Sequence, residues 1–225
     1  MTKKNIVVAF DLDGTLLDSA GDLIETLNIL LKENNLSLMK KSDVNNLVGN
    51  GALAMIKKAF QKNNISNIND IKLNNLKSKF LRIYNKNYAK KSKLYPYAKK
   101  TLKELKLKNY KIILVSNKPE YYVKKIIKYF DISKYFSAIS GGDTFAYRKP
   151  DPKHLYETIK LTKSNKVNCV FIGDSINDAI CAKESNSKLI LMTYGYSDID
   201  VHTMGADLTL NSLKNLPKLV DAIKF

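Results

Sequence analysis

The chain has 225 residues, with 38 Lys or Arg against 21 Asp or Glu and a formal net charge of +17. Apolar residues make up 44%, which excludes a disordered chain. No apolar run is long enough to span a bilayer, and Met1-Thr2-Lys3-Lys4-Asn5 leads into one short apolar run without a small-residue cleavage pattern, so the expected location is the cytoplasm, with no membrane partner.

The first expected strand is the apolar run 6–10. From 17 to 94 only helical patterns follow. Ser19 is placed to cap a helix reaching about Asn35, with Asp22 three residues later in capping-box position. A short helix over 42–48 and longer ones over 52–62 and 70–91 come next. The last carries Leu73, Leu76, Phe80, Ile83, Tyr84 and Tyr88 at spacings of three and four, one apolar stripe that reads as core packing. Beyond it, apolar runs at 112–116, 136–140, 169–173 and 189–193 alternate for the most part with helical patterns at 98–108, 119–129, 153–161 and 178–184. A weaker strand at 207–210 and a helix at 213–223 end the chain. Alternating strands and helices imply parallel strands with right-handed crossovers, an α/β sheet. The expected division is a core from 1–16 and 95–225, interrupted by an all-helical domain over 17–94.

The net charge invites a nucleic-acid reading, because lysines neutralise phosphates. Only Arg82 and Arg148 are arginine, however, and the other 36 basic residues are lysine. Lysine and asparagine inflated together point to A+T-rich codons, whereas a nucleic-acid surface favours the planar fork of arginine. Nucleic acid is not expected as the main partner. Cys169 and Cys181 belong to no C-x-x-C pair and read as small buried hydrophobes.

Phe10-Asp11-Leu12-Asp13-Gly14-Thr15 places two carboxylates just past the first strand, where open α/β sheets bind ligands. Alternate residues of a strand share a face, so the two carboxylates are close and need a cation, a shared proton or both. Gly14 lets the turn present peptide N–H groups to an anion. Gly173-Asp174-Ser175-Ile176-Asn177-Asp178 repeats the pattern after a later strand, and the two acidic clusters together suggest an oxygen-rich Mg²⁺ site. Ser116-Asn117 offers a hydroxyl and an amide suited to phosphate oxygens. Lys149 lies in Arg148-Lys149-Pro150-Asp151-Pro152, a loop stiffened by its prolines.

These four pieces, in this order, resemble the haloacid dehalogenase superfamily of phosphatases. The resemblance implies a Rossmann-like parallel-sheet core with a helical cap inserted after the first strand. It further implies Asp11 as nucleophile, giving an aspartyl-phosphate, and Asp13 as general acid and base. Mg²⁺ would be held by Asp11, the Asp13 backbone carbonyl and Asp174, with Asp178 in support. Ser116, Lys149 and the backbone N–H groups of Leu12, Gly14 and Thr15 would hold phosphoryl oxygens, with Asn117 beside them. Asp13 sets the chain apart from true dehalogenases, which lack an acid there.

Leu16-Leu17-Asp18-Ser19, Val48-Gly49-Asn50-Gly51-Ala52, Ser116-Asn117-Lys118-Pro119, Gly141-Gly142-Asp143 and Thr193-Tyr194-Gly195-Tyr196 are similar to stretches of bacterial phosphoglycolate phosphatases. That similarity implies a small phosphorylated metabolite as substrate, 2-phosphoglycolate first, with Gly49, Asn50 and Gly51 over the active site. The same glycines would equally suit a plain helix–helix turn. A pyrophosphatase, a sugar-phosphate or nucleotide phosphatase, a mutase and a non-catalytic phosphate-binding regulator are the alternatives. A substrate carboxylate would want a cationic or N–H partner from the cap, whose 17–95 stretch holds 14 Lys or Arg against 6 Asp or Glu.

Overall fold

The strands are apolar at nearly every position because helices cover both faces of the sheet. A computed structural model describes residues 6–164 and 168–225, so residues 1–5, with which the expected core begins, lie outside them. The strands are β1 (Ile6–Phe10), β2 (Leu17–Asp18), β3 (Lys93–Leu94), β4 (Lys111–Val115), β5 (Ala138–Ser140), β6 (Asn168–Gly173), β7 (Lys188–Met192) and β8 (Leu208–Leu210). The helices are α1 (Ala20–Lys32), α2 (Val44–Leu47), α3 (Gly51–Gln61), α4 (Asp70–Asn87), α5 (Ala98–Leu107), α6 (Glu120–Tyr129), α7 (Lys153–Lys160), α8 (Ile176–Glu184) and α9 (Leu216–Ala222).

Six strands form one sheet in the order β5-β4-β1-β6-β7-β8, and every pairing in it is parallel. Successive side chains take opposite faces. Ile6, Val8 and Phe10 of β1, with Ile112, Leu114, Val170 and Ile172, pack on α5, α6 and α9 through Leu102, Ile126 and Leu216. Val7 and Ala9, with Ile113, Val115 and Phe171, face α7 and α8 through Leu155 and Ala182. Cys169 and Cys181 are free, buried members of this second layer, as their small apolar character predicts.

The chain runs from β1 outward to β4 and β5, then returns to the other side of β1 for β6. Loops leaving β1 and β6 therefore diverge, and a crevice opens at that reversal, beyond the carboxyl ends of the two strands. Asp11 and Asp174 are the first residues past those two strands.

Helices α1 to α4 enclose a separate apolar cluster in which Leu27, Leu30, Ile56, Phe60, Phe80 and Tyr84 are buried. Two residues from outside the segment enter it, Tyr122 of α6 and Tyr196. No helix among the described residues is long and apolar enough to cross a membrane.

Two local expectations change. The segment is bounded by a two-residue antiparallel ribbon, Leu17–Asp18 against Lys93–Leu94, too short to leave a periodic signal. Ser19 does precede α1, but its side chain makes no cap bond, donating instead to Asp13 Oδ1 at 2.6 Å. Asp22, the other half of the expected capping box, is fully buried and reaches across the ribbon. Its carboxylate accepts from Lys91 N at 2.8 Å, Ser92 N at 2.8 Å and Ser92 Oγ at 2.5 Å. Asp22→Ala leaves those donors without their acceptor and is expected to cost about 2–4 kcal/mol, read from urea unfolding midpoints; a loss under about 0.5 kcal/mol would contradict the clamp.

Candidate active site

Past β1, Asp11 N donates to Ile172 O of β6 at 2.9 Å, which seats the residue between the two central strands. Its carboxylate is buried, and Oδ1 lies 2.8 Å from Lys149 Nζ. The same ammonium donates to Asp178 Oδ1 at 2.7 Å. Asp178 Oδ2 accepts from Asp174 N at 3.2 Å, Ser175 N at 3.0 Å and Ser175 Oγ at 2.7 Å, a closed capping box at the start of α8. Asp174 accepts from Thr15 Oγ1 at 2.9 Å and Tyr196 N at 2.8 Å. Asp11, Asp174 and Asp178 each offer one carboxylate oxygen within 4.8 Å of the others.

Three buried carboxylates here share one lysine. Asp11 is raised to about 6: burial pushes it up, Lys149 pulls it down, and Asp178 and Asp13 push it up again. Asp174 is raised well above the usual carboxylate range by burial, then by Asp178 and Asp11. Burial would strip the proton from Lys149, but Asp11 and Asp178 outweigh it and hold the ammonium charged. Asp11 Oδ1 makes no aligned hydrogen bond, even to Lys149. This surplus of negative charge on hard oxygen donors fits a divalent cation of the Mg²⁺ type.

Asp13 faces elsewhere. Both of its oxygens contact Lys118 Nζ, at 3.0 and 2.9 Å, and Oδ1 also accepts from Ser19. Lys118 is only 7% exposed, and its Nζ lies 4.9 Å from the Tyr84 ring centroid. Burial opposes its charge, yet Asp13, then Tyr84, outweigh that and raise its pKa. The Asp13 carboxylate is therefore outside the three-carboxylate cluster, and the expected metal set draws on its main-chain carbonyl alone.

Ser116 is buried at the end of β4, where its Oγ accepts from Lys118 N at 3.3 Å. Asn117 Nδ2 donates to Lys149 O at 3.0 Å and Gly49 O at 3.2 Å. Asn177 Nδ2 reaches Asn50 Oδ1 at 3.0 Å and Gly49 O at 3.4 Å. Gly49, Asn50 and Gly51 thus form a helix–helix turn that is also fastened over the core by two asparagine amides. Gly49 and Gly51 line one cavity with Asp11, Asp13, Ser116 and Lys118, and its volume is about 50 Å³.

Gly14 and Thr15 depart from the expected phosphate-binding role. Gly14 N donates to Leu17 O at 2.9 Å and Thr15 N to Leu12 O at 3.3 Å, so both N–H groups are engaged within the turn. At Gly14, φ is +88°, and a Cβ would meet Asp174 Oδ2 at 2.2 Å. These two positions shape the wall of the site, the glycine by close approach and the threonine by its bond to Asp174. Gly195 packs on the other side of Asp174 in the same way, where a Cβ would lie 2.2 Å from Asp174 Cβ.

Three residues escaped the sequence reading as site members. Lys118 stood inside a quoted motif but lacked a partner until the fold brought Asp13 to it, 105 positions away. His154 is fully buried; its Nδ1 accepts from Lys149 N at 3.2 Å, and burial, then the Lys149 charge, pushes the imidazole down to about 4. The ring stays neutral and keeps that acceptor. Tyr196 Oη accepts from Ser19 N at 2.7 Å and Ala20 N at 3.0 Å and donates to Asp18 Oδ1 at 2.7 Å. Arg82, the sole arginine of the helical segment, is exposed on α4.

The raised Asp11 has a stability consequence in metal-free protein. Its folded pKa, about 6 against an ordinary 3.8, means that its contribution is complete below pH 3.8 and lost as pH climbs through 6. In EDTA, Asp11→Asn is therefore expected to gain Tm relative to wild type between about pH 4 and pH 7. Millimolar Mg²⁺ at pH 7 should narrow the gap by stabilising wild type alone. A gap that stays flat across this range would contradict the desolvated carboxylate.

Residues 8–192 match the haloacid dehalogenase-like hydrolase family. A phosphoglycolate phosphatase of Colwellia psychrerythraea is 35% identical, covering 85% of this chain and 85% of its own length. One from Aquifex aeolicus is 32% identical, with 96% of each chain covered. The crystal structure of a predicted phosphoglycolate phosphatase from Haemophilus somnus superposes with a TM-score of 0.89 at 30% identity, covering 98% of this chain and 99% of that one. The gathered carboxylates and lysine lie on the strand ends of a sheet that these phosphatases share, and the chain belongs to the haloacid dehalogenase-like hydrolases.

Proposed function

We propose that the protein is a Mg²⁺-dependent phosphatase that hydrolyses a small phosphomonoester, 2-phosphoglycolate first, through a phosphorylated Asp11. The observation that carries this reading is the buried Asp11 carboxylate, held by Lys149 beside Asp174 and Asp178, with an oxygen that lacks an aligned hydrogen bond.

In this reading Asp11 attacks phosphorus, forming an aspartyl-phosphate as the P–O bond to the leaving alcohol breaks. Asp13 gives a proton to the departing oxygen, then accepts one from the water that cleaves the aspartyl-phosphate. Ser116 Oγ, Lys149 Nζ and the Leu12 and Asp13 N–H groups steady the phosphoryl oxygens while charge shifts. Asp11, the Asp13 carbonyl and Asp174 would hold Mg²⁺, with Asp178 orienting Asp174 and Lys149. When bound, the ion supplies charge that offsets repulsion between the phosphate and the Asp11 carboxylate.

Residues 17–94 serve as the cap. With the 49–51 turn fastened to Asn117 and Asn177, about 50 Å³ remains beside Asp13. One water needs roughly 10–15 Å³ of such volume, so a two-carbon leaving group fits the space better than a hexose or a nucleoside. The names of the relatives support the same substrate.

With Mg²⁺, the enzyme is expected to release phosphate from 2-phosphoglycolate, to stop in EDTA and to recover when Mg²⁺ is restored. Asp11→Asn should lower turnover by at least about 10³-fold while the fold persists. Near-normal activity of that variant would remove the nucleophile assignment. A kcat/KM for pyrophosphate, a hexose phosphate or a nucleotide that exceeds the 2-phosphoglycolate value by about tenfold would overturn the substrate.

A further inference from the structure

We propose that Lys118, with the Tyr84 hydroxyl beside it, is the specificity-determining subsite that reads a carboxylate on the substrate's leaving group. The proposal rests on the phosphatase reading above and names how the site chooses among small phosphomonoesters.

Among the described residues lining the cavity, Lys118 alone is a lysine or arginine. The other buried lysine of the site, Lys149, lies deeper and is committed to Asp11 and Asp178. Opposite Lys118 the walls are mostly apolar, with Leu23, Leu47, Val48, Ala52 and Met55 all lining the space. Asp13 offsets the buried ammonium, and a neutral leaving group would draw nothing further from it, whereas a carboxylate would.

An ammonium has three N–H donors. The two Asp13 oxygens, at 3.0 and 2.9 Å, account for two of them. The third is not taken by Asp13 and leans toward Tyr84, which lines the cavity beside the ammonium. Tyr84 Oη is buried and makes no aligned hydrogen bond, and burial pushes the phenol up to about 12, so it remains a donor throughout the working pH range. A carboxylate entering there can take that N–H in place of the Tyr84 oxygen and accept the Tyr84 O–H as well, one donor for each of its oxygens.

The placement relative to the reacting atoms is consistent. Lys118 follows Ser116 by two residues and grips Asp13, the group that would protonate the leaving oxygen. A leaving group only two carbons long would bring its carboxylate to this end of the cavity while its phosphate lies at Asp11. The cation comes from the core loop after β4, not from the lysine-rich helical segment.

The test compares 2-phosphoglycolate with ethyl phosphate, the same size without the carboxylate, on the full-length protein with Mg²⁺. Wild type is expected to favour 2-phosphoglycolate in kcat/KM. In Lys118→Gln that ratio should fall by about 30-fold or more, beyond any loss common to both substrates from disturbing Asp13. A loss shared equally would leave Lys118 as a support for Asp13 and overturn the proposal. Should wild type show no preference, the 2-phosphoglycolate reading falls as well; a preference that survives in Lys118→Gln removes the Lys118 assignment alone. A second measurement does not require Lys118→Gln to fold: titration of Asp13→Asn with each ligand. There the freed Lys118 should bind 2-phosphoglycolate at least about tenfold more tightly than ethyl phosphate, and equal Kd values would overturn the proposal.

Discussion

Three carboxylates and one ammonium, buried together, carry more negative charge than a protein interior tolerates alone. Asp11, Asp174 and Asp178 lie within reach of a common ion, and Lys149 bridges two of them. Much of the surrounding structure reads as a response to that surplus. Main-chain N–H groups of Asp174 and Ser175 turn toward Asp178, Thr15 and Tyr196 donate to Asp174, and a neutral His154 holds the Lys149 main chain. Each donor lowers the cost of ionised groups in low dielectric. What they leave uncompensated is negative charge on hard oxygens, of the kind a divalent cation would offset.

The sheet makes this concentration of charge possible. Its strands bury apolar residues on both faces, so the ordered polar groups are driven to the strand ends. The reversal of strand order beside β1 then separates the loops enough for a ligand to enter. Glycine at positions 14 and 195 lets the main chain approach Asp174 from two sides, which a side chain at either place would prevent.

Much of the fold and of the carboxylate cluster was legible in sequence because the signals are local. Apolar runs followed at once by Asp11-Leu12-Asp13-Gly14 or Gly173-Asp174 announce strand ends, and all six strands of the sheet fell within two residues of their expected bounds. The misses share a different cause. Ser19 and Asp22 have the types and spacing of a capping box, yet Ser19 bonds back to Asp13 in the preceding turn and Asp22 bonds to Ser92, 70 positions away. Local pattern cannot tell a short-range bond from a long-range one made by the same atoms. Lys118 was one lysine among 36, Tyr196 stood in a quoted stretch that did not say what its hydroxyl holds, and His154 stood in none. The Leu17–Asp18 and Lys93–Leu94 ribbon is too brief for any periodicity to register.

The helical segment keeps its own apolar cluster and joins the sheet through that narrow ribbon. A unit built this way is exchangeable in evolution: its helices can be reshaped, and the volume above the strand ends resized, without disturbing the sheet. Lys118 belongs to the other side of the seam. In the proposed reading, selectivity for charge therefore straddles the seam, with the ammonium of Lys118 on the core side and the phenol of Tyr84 on the helical side. On that reading, a lineage that traded its helices would acquire a new outline for its substrate and keep the ammonium, but would have to find the phenol's partner anew.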